Sequence, residues 1–304
     1  MINFSIESAS SQKNKVALVT GANIGLGYET ALALAKKDAT VILACRTLSK
    51  AQQAMKNILK KVPGADLEII LIDLNSLDSV RNFATKFSKK YKRLDLLIAN
   101  AGIMFPPFQT TKEGFESQFG VNYLSHFLLV NLLFPILKKT EESRVVMLSS
   151  IAHKSGEIDF ENLNSERSYS KWKAYAQSKL ACLMFAYELQ RRIEKAGINA
   201  KSVAAHPGLS NTNLGQFLPK FAMKLFGPLS SIIGQQAKSG ALPTLRAALD
   251  PAVKGGEYYG PSGFREMKGD PVKVSSTSRS HQQQVAKKLW SVSEKLTGEK
   301  FEMD

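Results

Sequence analysis

Two spacings of apolar residues alternate along this chain. Short β-rich runs fall at residues 16–20, 40–44, 67–73, 94–99, 144–149 and 199–205, and most are apolar at successive positions rather than at every second one. An alternating strand faces water on one side, whereas a strand apolar throughout is covered on both, as in a parallel sheet. Between these runs, apolar positions recur at helical spacing over 25–37, 49–61, 76–90, 114–139 and 169–195. Strand–helix alternation with short connections predicts repeated βαβ units: an α/β fold with a doubly wound parallel sheet. A last helix is expected over 281–297, with Leu289 and Trp290 on its apolar face and Gly298 as its C-cap.

Two segments depart from the alternation. Residues 154–168 are polar and loop-like. Residues 209–233 mix Gly, Pro and Ser with Leu214, Phe217, Phe221, Phe226 and Ile232. This apolar insertion beyond a strand end is either a lid over an apolar substrate or an extra helix packed on the core or on a second subunit. Residues 1–13 read as a polar tail. With no linker, tandem repeat or low-complexity tract, residues 1–304 are expected to form a single domain.

Composition narrows the class without naming a function. The 304 residues carry 41 Lys+Arg and 26 Asp+Glu, a net charge of +15, and 44% of them are hydrophobic. These values exclude a disordered chain, a collagen or a disulfide scaffold. The positive charge comes in short clusters: Lys36-Lys37, Lys60-Lys61, Lys89-Lys90, Lys138-Lys139, Arg191-Arg192 and Lys287-Lys288. Nearly all are expected in last helical turns, where cations complement the helix dipole. No long basic tract or nucleic-acid motif accompanies them, so no nucleic-acid partner is expected. Two cysteines, Cys45 and Cys182, give no disulfide framework and fit a reducing, cytoplasmic setting. The first 15 residues hold no apolar run of signal-peptide length. The most apolar stretch, 123–137, is interrupted by Ser125, His126, Asn131 and Pro135 and is too short to cross a bilayer, so no transmembrane segment is expected.

The first candidate chemistry follows the first strand. TGANIGLG, residues 20–27, turns that strand into a helix. Such a turn aims free backbone N–H groups and the positive dipole end at one spot. Gly21, Gly25 and Gly27 would let a pyrophosphate approach, with Asn23 and Ile24 between them, which points to a dinucleotide. After the second strand, Arg46 stands 19 residues past Gly27, near the place where an acid would hold an NAD ribose, and no acid occurs between Ala39 and Lys50. A guanidinium there can grip a 2′-phosphate, so NADP(H) is favoured over NAD(H).

A tyrosine followed by lysine one helical turn later is a candidate proton donor with its activator. About one such pair is expected by chance, and two occur: Tyr169 with Lys173 and Tyr175 with Lys179, both expected on one helix. A phenol titrates near 10, so yielding its proton near neutral pH takes about 4 kcal/mol of preferential stabilisation, which a nearby cation can supply. Ser149 and Ser150 end the fifth strand, at the carboxyl edge where open α/β sheets bind ligands.

Several motifs now stand in order on one chain: TGANIGLG (20–27), ILACR (42–46), DL (73–74), NAG (100–102), NYLSHFLL (122–129), VVMLSS (145–150), YAQSK (175–179) and HPG (206–208). From about residue 14 onward the sequence resembles the short-chain dehydrogenase/reductase family, in particular its retinol dehydrogenase and protochlorophyllide reductase-like branch. The resemblance implies a Rossmann fold. It selects Tyr175 as general acid, Lys179 as its electrostatic activator and a ribose ligand, and Ser150 as donor to the substrate oxygen. It gives Asn122 a water in a proton relay to Lys179. It puts Asp73 and Leu74 near the adenine, and Asn100, Ala101 and Gly102 on the adenosine side of the cofactor. Pro207 and Gly208 form a turn, after which Thr212 reaches the carboxamide. The plainer roles are a strand terminus for Ser150, a helix-bending amide for Asn122, and turn or cap roles for Asp73, Asn100 and Thr212. Asp38 stands where the family often has a helix-ending glycine, a departure that a left-handed Asp tolerates.

The implied activity is hydride transfer between NADP(H) and a carbonyl or alcohol, with an apolar aldehyde or ketone favoured by the 209–233 segment. Reduction of a carbon–carbon double bond and non-catalytic NADP(H) sensing are the alternatives. A small-molecule substrate is expected, and either a monomer or a homodimer through helices 114–139 and 169–195. His126, His153, His206 and His281 lack metal-ligand spacing, so no metal is expected. His126 reads as a buried, hydrogen-bonded residue, and His153 and His206 could line the mouth of a pocket.

Overall fold

The structure is a computed structural model that describes residues 4–210 and 235–303. Most of the segment expected to be a lid, and Thr212 within it, lies outside the described residues. In chain order the elements are β1 (Val16–Thr20), α1 (Gly25–Ala35), β2 (Thr40–Cys45), α2 (Leu48–Lys61), β3 (Leu67–Leu71), α3 (Leu77–Lys90), β4 (Leu96–Ala99) and α4 (Ser117–Leu137). They continue with β5 (Ser143–Leu148), α5 (Lys171–Lys195), β6 (Ala200–Ala205), α6 (Ala237–Gly240), α7 (Leu242–Leu249), β7 (Tyr258–Pro261), β8 (Pro271–Lys273) and α8 (Gln283–Thr297).

The eight strands make one sheet in the order β3-β2-β1-β4-β5-β6-β7-β8. All neighbours are parallel except β7 and β8. The order reverses between β1 and β4, the switch point at which open sheets of this kind leave a crevice. Apolar side chains serve two layers by alternation. On β4, Leu97 and Ala99 join the core under α3, α4, α5 and α8, while Leu96 and Ile98 join the one under α1, α2 and α7. Continuous apolar runs are the signature of strands in that situation. β3 is the exception: it is the sheet edge, and Leu71 is exposed.

Several boundaries shift for local reasons. α5 begins at Lys171 rather than 169 because the Ser170 side chain accepts from the Lys173 amide and caps the helix. Tyr169 is therefore outside the helix, and the Tyr169–Lys173 pair does not share a helical face. The segment expected as loop from 154 begins with the end of a 3-10 turn, Ile151–Ser155. Lys287 and Lys288 fall near the start of α8, not its end, and Lys288 Nζ lies 4.2 Å over the Phe160 ring. α4 is longer than the apolar stretch in the sequence. Its 21 residues are long and apolar enough to cross a membrane by length and composition, and 83% of the most apolar window is buried inside the fold. Asp38 takes the left-handed conformation expected of it (φ 68°), as does Gly298 (φ 70°).

The outer faces of α4 and α5 are covered by the end of the chain. Trp290 of α8 packs 5.3 Å from Phe127 and 5.5 Å from Phe185, and Phe301 sits 5.0 Å from Phe134 (ring centroids). Polar ties reinforce the apolar cover: Tyr123 Oη meets Ser293 Oγ at 2.7 Å, and Asn131 Nδ2 donates to the Lys300 carbonyl at 3.1 Å.

Candidate active site

Most of the motif residues follow the carboxyl ends of parallel strands, and Asn122, Tyr175 and Lys179 come to the same edge of the sheet from α4 and α5. The glycine turn follows β1, Arg46 follows β2, Asp73 follows β3, Asn100–Gly102 follows β4, Ser149 and Ser150 follow β5, and Pro207–Gly208 follows β6.

The glycine turn is shaped by close approach. Gly21 (φ 68°) and Gly25 (φ 59°) occupy the left-handed region. At Gly27 a Cβ would lie 2.3 Å from the Gly21 carbonyl oxygen and 2.5 Å from Asn100 Nδ2, so only glycine lets α1 start this near the turn. Ile24 is the N-cap of α1, is 51% exposed, and offers no capping side chain, and the first turn holds no acid. The positive end of the helix is thus left open to an anion, as a pyrophosphate requires. Arg46 is exposed and has no hydrogen bond or ion pair among the described residues. This donor set fits a dinucleotide.

Thr20, just before the glycines, was not singled out in the sequence and is the hub of the turn. Its Oγ1 accepts from the Asn100 and Ala101 amides at 2.9 Å each, and Asn100 Nδ2 donates to the Thr20 carbonyl at 2.7 Å. It also meets His126 Nε2 at 2.9 Å, while His126 Nδ1 lies 2.9 Å from the Asn122 carbonyl. A carbonyl only accepts, so Nδ1 carries the proton and Nε2 accepts the Thr20 hydroxyl. Burial pushes the imidazole down to about 4, against the hydrogen bond to Asn122, which keeps the ring neutral and this chain of bonds consistent. The expected buried, hydrogen-bonded role of His126 is what the structure shows.

Asn122 lies in a π-helical turn, Gly120–Leu124, within α4. Such bulges often mark functional positions. Its side chain is pinned on both sides: Oδ1 accepts from the Ile103 amide at 2.8 Å, and Nδ2 donates to the Ile103 carbonyl and to Ser178 Oγ, each at 3.0 Å. A Cβ at Gly102 would stand 3.0 Å from Asn122 Oδ1 and 3.5 Å from Lys179 Nζ, so the NAG turn, Asn122 and Lys179 converge.

Tyr175 and Lys179 share one face of α5, both 5% exposed, with Lys179 Nζ 5.9 Å from the Tyr175 ring centroid. Lys179 Nζ donates to the Leu148 carbonyl at 3.1 Å, and Ser149 Oγ donates to the Lys179 carbonyl at 2.8 Å. These bonds lock this turn of α5 to the end of β5. Ser150 Oγ accepts from the Ala152 amide at 3.2 Å, which leaves its own hydrogen free to donate. Tyr169 is elsewhere: its hydroxyl donates to the Pro106 carbonyl at 2.8 Å, and burial pushes the phenol up to about 12.

Asp73 does hold a turn, its Oδ1 accepting from the Asn75 amide at 3.0 Å, and Leu74 is buried beside it. The Pro207–Gly208 turn is held from behind. A Cβ on Gly208 (φ 62°) would lie 2.4 Å from the Met267 carbonyl oxygen. His206 and His153 are fully buried, so neither lines a pocket mouth. His206 Nε2 is 3.0 Å from Glu266 Oε2, and Lys154 Nζ pairs with the other carboxylate oxygen at 2.8 Å. The His206 ring and the Lys154 ammonium hold the Glu266 carboxyl down to about 2. Among the described residues no cluster of ligands could hold a metal ion.

Residues 15–221 match the family described as short chain dehydrogenase. The chain belongs to this family. Within the short chain dehydrogenases it falls in the retinol dehydrogenase-like branch. It is 39% identical to human (Homo sapiens) retinol dehydrogenase 13 over 93% of this chain and 85% of that protein, and 40% identical to mouse (Mus musculus) retinol dehydrogenase 14 over 93% and 86%. A solved structure of an uncharacterised protein from Mycobacterium Paratuberculosis superposes with a TM-score of 0.83 at 38% identity, covering 99% of this chain and 100% of that one. The Pseudomonas aeruginosa RhlG/NADP complex, at 20% identity and a TM-score of 0.64 over 82% and 94%, shares the fold. As a short chain dehydrogenase the chain is a hydride-transferring oxidoreductase that uses a nicotinamide cofactor.

Proposed function

We propose that this short chain dehydrogenase uses NADP(H) to interconvert an apolar aldehyde or ketone and its alcohol. The observation that carries the reading is the buried Tyr175–Lys179 turn of α5, bonded to the strand end that presents Ser150. Bound nicotinamide would supply a hydride to the carbonyl carbon. Ser150 donates its free hydrogen to the carbonyl oxygen and fixes it near Tyr175. The Tyr175 hydroxyl gives that oxygen its proton. Lys179, one ammonium hydrogen spent on Leu148, stabilises the negative charge left on the tyrosine oxygen. Asn122 holds the Ile103 backbone and Ser178, and so the loop and helix on either side of Lys179.

The preference for NADP(H) rests on Arg46, exposed after β2 and without a partner among the described residues, with no acid between Ala39 and Lys50 in the sequence. Arg46→Ala is expected to raise the apparent KM for NADPH about 10- to 100-fold, the worth of charge-assisted hydrogen bonds to a phosphate, and to leave that for NADH unchanged. Equal or tighter binding of NADH by the wild type would overturn the assignment. The apolar preference is supported by the half-buried Met104 and Phe105 beside Tyr175, and by the relatives' names, retinol being an apolar alcohol. Oxidation of NADPH followed across a panel of apolar and polar carbonyl compounds, with product identification, tests the whole reading. Alcohol products, best from apolar substrates, are expected. A saturated carbonyl product would mean double-bond reduction, and cofactor binding without turnover would mean a sensor.

A further inference from the structure

Phe105 has its backbone in the left-handed region, φ 60°. For a bulky residue this is strain, which persists only where surrounding contacts over-determine it and which clusters at functional sites. The contacts are clear. The Phe105 amide donates to Oε1 of the fully buried Gln118 at 2.9 Å, and Gln118 Nε2 donates to the Lys171 carbonyl at 3.1 Å and the Tyr169 hydroxyl at 3.3 Å. Tyr169 in turn donates to the Pro106 carbonyl. Tyr169 thus has a use: it staples the loop after β4 to the start of α5.

The strain serves neither main core. Phe105 packs instead in a separate small cluster with Met104, Ala152, Tyr175 and Ala176. Its ring meets Tyr175 edge-on at 5.4 Å and 75°, and Trp172 at 5.7 Å and 45°. Trp172 is 50% exposed yet fixed, its Nε1 donating to Ser155 Oγ at 3.0 Å. Two held rings inclined at 45° to each other, one against Tyr175 and the other half open to solvent, form an apolar aromatic wall beside the candidate proton donor.

We propose that Phe105 and Trp172 are specificity-determining residues, an aromatic wall that makes the site prefer a flat aromatic carbonyl compound to a straight-chain one of similar size. The inference rests on the carbonyl-reduction reading and names its substrate class. A flat ring system stacks or packs edge-on against such rings. An alkyl chain gains area but must freeze many torsions against a fixed wall.

The test compares kcat/KM for 2-naphthaldehyde and decanal with NADPH in the wild type, Phe105→Ala, Trp172→Ala and Phe105→Tyr. The wild type is expected to prefer the naphthaldehyde. The ratio should fall about three- to tenfold in both alanine variants, the size of an aromatic contact, and stay near the wild-type value in Phe105→Tyr, which keeps the ring. A wild type that prefers decanal overturns the proposal, as does an unchanged ratio in the alanine variants. If Phe105→Ala fails to fold, the exposed Trp172→Ala variant decides alone. A wild type that binds NADPH but turns over neither aldehyde overturns the carbonyl-reduction reading itself, and this inference with it.

Discussion

Tyr175→Phe is expected to lower kcat about 10²- to 10⁴-fold, the usual contribution of a positioned general acid, while NADPH binds as in the wild type. The phenol is buried beside Lys179 on the turn of α5 that is bonded to the end of β5, whereas the neighbouring Ser178 hydroxyl is spent on the Tyr175 carbonyl and Asn122. Phenylalanine keeps the ring and its edge contact with Phe105 but removes the proton. Tyr169→Phe should behave differently. It deletes the hydrogen bond to the Pro106 carbonyl, at a cost of about 1 kcal/mol of stability, without removing a proton donor from the reaction. Steady-state turnover beside fluorescence titration of NADPH separates the two variants. The opposite ranking would assign the proton donor to the wrong tyrosine.

Acid should unfold the protein well above the ordinary carboxylate range. Burial pushes both His126 and His153 down to about 4, from 6.5 in an exposed chain. At His126 the hydrogen bond to Asn122 opposes burial and the Lys179 charge adds to it. At His153 the bond to the Ser150 carbonyl and the Glu266 charge oppose burial, while His206 and Lys154 reinforce it. Between pH 6.5 and about 4 the unfolded chain binds protons that the folded one excludes, so stability falls as pH falls, by about 3 kcal/mol for each ring. Buried His206 is lowered as well and acts in the same direction. Glu266, held down to about 2, contributes stability that is present above the usual carboxylate range and lost only lower, as pH drops from 4.5 towards 2. Buried Glu116 is raised and works against the trend. Calorimetry at a series of pH values should show Tm falling steeply below pH 6.5, with uptake of about two protons on unfolding near pH 5. A flat profile across that window would mean the rings are not held neutral.

The sheet was legible because its strands are apolar at successive positions and the glycine turn sits where β1 must hand over to α1. The parts that escaped depend on contacts distant in sequence. β7 is four residues, YYGP, with the composition of a turn, and becomes a strand only because β6 and β8 flank it. The Thr20–His126 bond joins positions 106 residues apart, and no local spacing announces it. The two Tyr–Lys pairs looked alike by spacing. A single hydroxyl, the Ser170 cap, separates them by starting the helix between the two tyrosines. The strain at Phe105 is invisible in the sequence because the residue that holds it, Gln118, lies on another element.

The cover that α8 and Phe301 provide for α4 and α5 bears on how the chain matures during synthesis. Phe127, Phe134 and Phe185 leave the ribosome long before Trp290 and Phe301 do. Until translation reaches residue 301, the helices bearing Asn122 and Tyr175 present bare aromatic surface. The nascent chain passes through an aggregation-prone interval that closes when Trp290 and Phe301 dock.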